Sequence, residues 1–182
     1  YQTEPWATEA LLRHVPVAGK TVWEPAAGNH LMADVLREAG ATVITSDIAT
    51  YDRRHDAVVD FFEKRFAYQP PRYDFIITNP PYGKGNREAV KFARLALERC
   101  DGIVALLLTA KFDFGSTRAD LFRDNPRFFA KIALVDRISW AGNGETGTED
   151  HCWMIWGPTA DAPYQPRLLW EGKQPQQLSR AA

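Results

Sequence analysis

An apolar, strand-like run, Phe75-Ile76-Ile77, ends abruptly at Thr78-Asn79-Pro80-Pro81-Tyr82. The two prolines fix φ and remove two backbone donors, so the carbonyls of Asn79 and Pro80 cannot be absorbed into a continuing ladder. The corner therefore presents acceptors, the Asn79 side-chain oxygen and a backbone carbonyl, beside a ring that can stack. That set suits a flat substrate bearing an NH2 group. A plainer account of the same residues is also open, in which Asn-Pro marks a turn and Tyr82 is a loop aromatic.

Chemistry of this kind needs a frame upstream. Lys20 to Glu24 reads as a strand, Pro25-Ala26-Ala27-Gly28-Asn29-His30 as a tight small-residue turn, and Leu31 to Ala39 carries helical apolar spacing up to Gly40. A second strand, Ala41 to Ser46, ends at Asp47, 19 residues after Gly28. Gly28 lets backbone approach a ligand, and a carboxylate at the next strand end accepts from ribose hydroxyls. Only one of the three glycines of the dinucleotide fingerprint is present, and no pyrophosphate cradle is evident. A nucleoside ligand without phosphates fits better, and S-adenosylmethionine is the common one. Ala57 to Phe62 reads as a short strand ending in Asp60-Phe61. There the acid suits an adenine amino group and the ring an adenine face, or the pair is simply a strand-end Asp and a core Phe.

Downstream of the corner, Gly83-Lys84-Gly85-Asn86 reads as a loop and Arg87 to Arg99 as an amphipathic helix. Gly102 to Thr109 is a nearly continuous apolar strand of the kind buried on both faces. Ser116 to Phe122 reads as a short helix. Ile132 to Val135 is a further strand, followed by Arg137-Ile138-Ser139-Trp140. A Gly-rich loop, Ala141 to Asp150, leads into a final strand, His151 to Trp156, and this pair predicts an antiparallel end to an otherwise parallel sheet. The tail from Gly157 reads as a surface cover. Residues 68–73 read as a Pro-rich connector. Lys84, Arg87, Lys91 and Arg94 fall largely on one side of a helix, and Arg118, Arg123 and Arg127 recur later, as a basic face or as ordinary solvated helix faces.

The 182 residues suffice for a sizeable core, and they read as one domain over residues 1–182 with no linker or repeat. No apolar run approaches the roughly 20 residues of a membrane span. Cys100 and Cys152 lie in apolar surroundings without metal-ligand spacing and read as reduced thiols, which points to the cytoplasm. The four His are scattered, so no metal site is expected. With 22 basic against 23 acidic residues the net charge is −1, which weighs mildly against a large nucleic-acid footprint.

In order along the chain, these stretches resemble the class I S-adenosylmethionine-dependent methyltransferases that act on amino groups. Trp23 to His30 looks like that family's cofactor loop, with His30 where a second glycine is usual. The resemblance implies cofactor contacts from Glu24, Pro25, Ala26, Gly28 and Asn29, a ribose acid at Asp47 with Ile48 beside it, and an adenine pair at Asp60-Phe61. Thr3-Glu4-Pro5-Trp6 resembles the N-terminal motif that closes over the methionine end of the cofactor, so Thr3 and Trp6 join the set. Asn79-Pro80-Pro81-Tyr82 matches the catalytic motif of adenine-N6 methyltransferases and of certain glutamine methyltransferases, with Asn79 also against the cofactor. Arg118 to Phe122, Arg137 to Trp140 and His151 to Trp156 look like the small phage and prophage adenine-N6 DNA methyltransferases.

The resemblance implies a doubly wound, Rossmann-like sheet of seven mostly parallel strands with an antiparallel last strand. It also implies methylation of adenine N6 in DNA with low sequence specificity, since no target-recognition domain is present. Asn79 and the Pro80 carbonyl would accept the two amine N–H bonds, Pro81 would hold the corner, and Tyr82 would stack on the base. Lys84, Asn86 and Arg118 would serve the substrate. RNA adenine or a protein glutamine are the rival substrates, and a catalytically silent cofactor-binding subunit is the rival that is not an enzyme.

Overall fold

The computed structural model describes residues 2–63, 73–141, 143–159 and 163–174. Most of the expected connector at 68–73, and Gly142 of the Gly-rich loop, lie outside the described residues. Strands β1 (Thr21–Glu24), β2 (Thr42–Asp47), β3 (Ala57–Val58), β4 (Phe75–Thr78), β5 (Ile103–Thr109), β6 (Phe128–Leu134), β7 (His151–Trp156) and β8 (Arg167–Glu171) form one sheet. Their spatial order is β3-β2-β1-β4-β5-β7-β6-β8. Only β7 runs against its neighbours, antiparallel to both β5 and β6. The expected antiparallel pair is thus β6 and β7. The eighth strand is a departure: residues 167–171 lie parallel to β6 and extend the sheet, where a surface-covering tail had been expected. Residues 137–140 are not a strand; they leave the sheet after β6.

Two buried clusters, one on each face, explain why the central strands are apolar throughout. Helices α1 (Pro5–Leu12) and α2 (Leu31–Glu38) cover one face with Ala7, Leu11, Met32 and Leu36 against Ile77, Leu107, Trp153 and Ile155. Helix α3 (Arg87–Arg99) covers the other with Ala89, Phe92, Ala93 and Ala96 against Trp23, Ile76, Leu106 and Met154. Adjacent residues of β7 serve opposite faces, as a period of two demands. The buried indoles of Trp153 and Trp156 each donate to a carbonyl, Ala7 at 2.7 Å and Leu121 at 2.7 Å, so the strand is tied to α1 and to the short 3-10 helix over Ser116–Leu121.

The arginines read as a possible basic face are largely engaged internally. Arg127 donates to the carbonyls of Leu97, Cys100, Gly102 and Gly157, clasping the end of α3 to the start of β5. Arg94 forks onto Asp120 at 2.7 and 3.0 Å and also reaches the Thr117 carbonyl. Lys84, Arg87 and Lys91 remain exposed, with no ion pair among the described residues.

Candidate active site at the sheet switch point

Strands β1 and β4 are neighbours, although two strands separate them in sequence. Their carboxyl ends, Glu24 and Thr78-Asn79, therefore open into the crevice where chain direction around the sheet reverses. A cavity there is lined by Gln2, Thr3, Glu24, residues 26–29, Leu31, Met32 and Asn79.

Two polar atoms on this cavity's lining residues are buried without a partner. Asn79 donates from Nδ2 to the Thr3 hydroxyl at 3.2 Å, which leaves its Oδ1 buried and unpaired. Glu24 is 2% exposed, and its Oε2 has no partner. Burial pushes the Glu24 carboxyl well above the usual carboxylate range, with Asp47 and Asp34 adding to the effect and Arg37 opposing it. Buried acceptors are nearly always satisfied, so two open ones beside one cavity point to a ligand that supplies donors.

The β1–α2 turn keeps its tight form with a histidine in the unusual position. Gly28 has φ +49°, and His30 has φ +68°, a left-handed conformation that side chains disfavour. The His30 N–H bonds the Ala27 carbonyl at 2.8 Å, and the ring is held by a 2.9 Å contact between its Nε2 and His55 Nδ1. His30 therefore takes a left-handed position without loss of the turn. A reciprocal pair between Asn29 and Asp52, at 3.2 and 3.3 Å, also ties the turn to the loop after β2.

Asp47 ends β2 beside this turn and is buried. Its carboxylate accepts from the Gly28 N–H at 3.0 Å and the Ala49 N–H at 3.2 Å. Ile48 is 67% exposed. Tyr51 is exposed nearby, and the Asp47 charge raises its phenol above the ordinary value, with burial adding to the shift. Tyr51, Gln2 and Met32 carry no motif that marks them in the sequence, and only the fold brings them to this site.

Not every expected residue comes together here. Phe92 stacks on Phe61 with centroids 4.0 Å apart and planes at 17°, while the Arg99 guanidinium lies 4.6 Å over the same ring. Two sides of the ring are occupied from α3, so Phe61 is a core residue and does not offer a face to adenine. Asp60 is half-buried and accepts the Phe62 N–H at 2.8 Å. The Trp6 indole N–H is bonded to Glu4 at 3.0 Å and the ring packs on the core, so Trp6 points to structural work. Glu4 itself also accepts the Ser139 N–H at 2.7 Å, anchoring the N-terminal segment close to the site.

Pro80 is buried and Pro81 exposed. Tyr82 is half-buried. Its hydroxyl donates to the Leu107 carbonyl at 3.2 Å, and its ring lies 5.9 Å from that of His151 at 24°. His151 is buried with Nδ1 unpaired, and burial lowers its pKa, so it is neutral near pH 7. Trp140 meets it edge-on at 4.9 Å. Asn86 donates to the Thr109 hydroxyl at 3.0 Å. Arg118 donates to the carbonyls of Phe112 and Gly85 and lies over the Phe112 ring, which braces the loop carrying Lys84 more than it frees a cation.

No protein-family model matches the chain, and no curated protein sequence matches it. Solved structures do. A candidate RNA methyltransferase from Pyrococcus horikoshii superposes with a TM-score of 0.57 at 17% identity, over 79% of this chain and 77% of that one. A type I restriction-modification methyltransferase subunit from Streptococcus thermophilus gives 0.63 at 13% identity, over 88% of this chain and 45% of its own. A 16S rRNA methyltransferase from T. thermophilus, crystallised with AdoMet and guanosine, gives 0.53 at 17% identity, over 87% and 44%. This chain therefore spans less than half the length of two of these proteins. The class I methyltransferase fold is shared across them.

Proposed function

We propose that the protein is an S-adenosylmethionine-dependent methyltransferase acting on an exocyclic amine, and specifically on N6 of adenine in DNA. The observation that carries this reading is the pair of unpartnered buried acceptors, Asn79 Oδ1 and Glu24 Oε2, beside one cavity at the switch point. A cofactor with an ammonium group and ribose hydroxyls supplies the missing donors. The residues present fit it. Glu24 and the turn from Pro25 to Asn29 would hold the methionine end with Thr3, Asp47 would accept from the ribose, and Ile48 would pack on the adenine, with Asp60 available to its amino group. When bound, S-adenosylmethionine supplies an electrophilic methyl group on a positively charged sulfur.

The chain's own residues would then prepare the nucleophile. The amine lone pair of adenine is conjugated with the ring, which makes it a poor nucleophile. Asn79 Oδ1 and the Pro80 carbonyl would accept its two N–H bonds, drawing the nitrogen toward tetrahedral geometry and freeing the lone pair for in-line attack. Once the amine has taken the methyl group, its surplus proton would leave through the Asn79 or Pro80 oxygen to solvent. Both acceptors are uncharged, so the gain is positioning and electrostatics. Tyr82 would stack on the base, extruded from a duplex or taken from a single strand.

Exposed Lys84, Arg87 and Lys91 beside the corner favour nucleic acid over a protein glutamine. Labelled S-adenosylmethionine offered with duplex DNA, single-stranded DNA, RNA and protein extract tests this. Label in N6-methyladenine from DNA is the expected result. Label in RNA or in glutamine reassigns the substrate, and label in none removes the activity. A salt series on substrate binding provides a second check, because nucleic-acid affinity falls steeply with salt.

A further inference from the structure

The two edges of the sheet are built differently. One edge is β3, only two residues long and therefore a poor template for further pairing. The other is β8, five residues of Arg-Leu-Leu-Trp-Glu, with no described residue paired to its outer side. Edge strands are usually blunted by an internal Lys, Pro or bulge, and β8 has none of these between Arg167 and Glu171. Instead it presents Leu168 and Trp170, which are 52% and 64% exposed.

We propose that β8 pairs antiparallel with β8 of a second copy of this chain, making a continuous sheet across a two-fold axis. The backbone phase of β8 and the charges at its two ends select this partner and this register. The Val135 N–H donates to the Glu171 carbonyl at 2.8 Å, so the backbone groups of Glu171 face β6. Alternation then turns the N–H and carbonyl groups of Leu168 and Trp170 outward. In antiparallel pairing, outward residues must lie opposite one another and exchange two bonds per pair. Setting Leu168 against the copy's Trp170 meets that requirement twice, by symmetry.

The same register sets Arg167 against the copy's Glu171 at both ends, and Leu169 against itself. The segment is thus self-complementary in charge as well as in backbone pattern, as an isologous interface requires. Glu171 already receives Arg13 and His14, yet a carboxylate has lone pairs for a further donor. Leu168 and Trp170 emerge on the face opposite Leu169, where each apolar side chain covers its counterpart across the joint.

The topology also fixes how the two sites relate. β8 runs parallel to β6, and both run in the direction of β5 and β4, since β7 alone is reversed. An antiparallel copy therefore opens its Asn79 corner at the opposite edge of the joined sheet.

Light scattering and sedimentation of the whole chain over a range of concentrations test the proposal. The mass should rise from monomer to dimer with concentration. Arg167→Glu alone opposes two carboxylates at each end, and Glu171→Lys alone opposes two cations, so each variant should stay at the monomer mass. An equimolar mixture restores both opposite-charge pairs and should return to the dimer. Because Glu171→Lys also gives up its contacts with Arg13 and His14, Trp170→Lys serves as a second probe at an exposed position. It should raise the dimer dissociation constant by about tenfold or more. A wild-type chain that stays monomeric at every concentration, single variants that dimerise like wild type, or a mixture that stays monomeric would overturn it.

Discussion

The Asn79 amide donates to the Thr3 hydroxyl at 3.2 Å, and that bond sets which way the side chain at the end of β4 points its acceptor. Thr3 is 76 residues upstream, on the segment leading into α1, so the N-terminus helps to set the orientation of a side chain on β4's far end. With Nδ2 occupied, Oδ1 is the unpaired acceptor, the atom that the proposed chemistry assigns to the substrate amine. Asn79→Ala should leave folding and cofactor affinity nearly unchanged while methyl transfer falls by two or more orders of magnitude, about 3 kcal/mol of barrier. Thr3→Val should lower kcat by about fivefold, the worth of one net hydrogen bond of about 1 kcal/mol. Thr3→Ser should retain most of it. Single-turnover assays on the three variants check both claims, and normal turnover by Asn79→Ala removes the proposed chemistry.

Glu24 makes a pH-dependent prediction. Its ordinary value is 4.5, and burial raises it in the folded protein. Above 4.5 the unfolded chain has lost a proton that the folded protein still holds. Stability therefore falls as pH rises from 4.5 through the raised value. Glu24→Gln should remove that decline and raise the melting temperature of the cofactor-free protein near neutral pH, by roughly 2–4 °C if at least about 1 kcal/mol is recovered. The same variant should bind S-adenosylmethionine more weakly, because the ammonium group loses its carboxylate. Melting curves across pH, with and without cofactor, separate the two effects. An identical pH profile in the variant would take the unpaired charge out of the account.

How much of this was legible in the sequence depended on the range of the contacts involved. The switch-point frame was legible because each piece is local: Glu24 ends an apolar run, Gly28 follows within a small-residue turn, and Asp47 ends the next strand. The antiparallel β6–β7 pair followed from one polar loop between two apolar runs. Phe61 was ambiguous because its role is set by Phe92 and Arg99, which reach it from α3 some 30 residues later. Arg118 and Arg127 read as solvent-facing cations, yet each reaches backbone carbonyls that only the folded chain brings near. The β8 strand was hidden by its setting, a Pro- and Gln-containing tail, and by an apolar pattern that leaves Leu168 and Trp170 in solvent.

Asp47 accepts from two backbone N–H groups, so it organises the turn as well as offering acceptors. Asp47→Ala should weaken S-adenosylmethionine binding by about 1.5–3 kcal/mol, the range for hydrogen bonds to a charged group. Asp47→Asn keeps one carbonyl acceptor and should lose less. Calorimetry measures both. Unchanged affinity in Asp47→Ala would exclude the residue from the cofactor site.

Tyr82 joins its proposed stacking role to a structural one, and the two can be separated. Its hydroxyl donates to the Leu107 carbonyl and its ring packs beside His151, while burial holds the phenol protonated far above its ordinary value. Tyr82→Phe keeps the ring face and loses the anchor, so stability should drop by about 1 kcal/mol with engagement of the target base largely preserved. Tyr82→Ala should cost about 1–3 kcal/mol in base engagement through lost stacking. It also opens space against the core, which should lower stability by several kcal/mol. Working well below the melting temperature isolates the first effect from the second. Substrate titration under those conditions should show weakened binding of the methyl acceptor by a fully folded Tyr82→Ala protein, with cofactor affinity intact. Acceptor binding that tracks only the folded fraction would leave Tyr82 with the structural role alone.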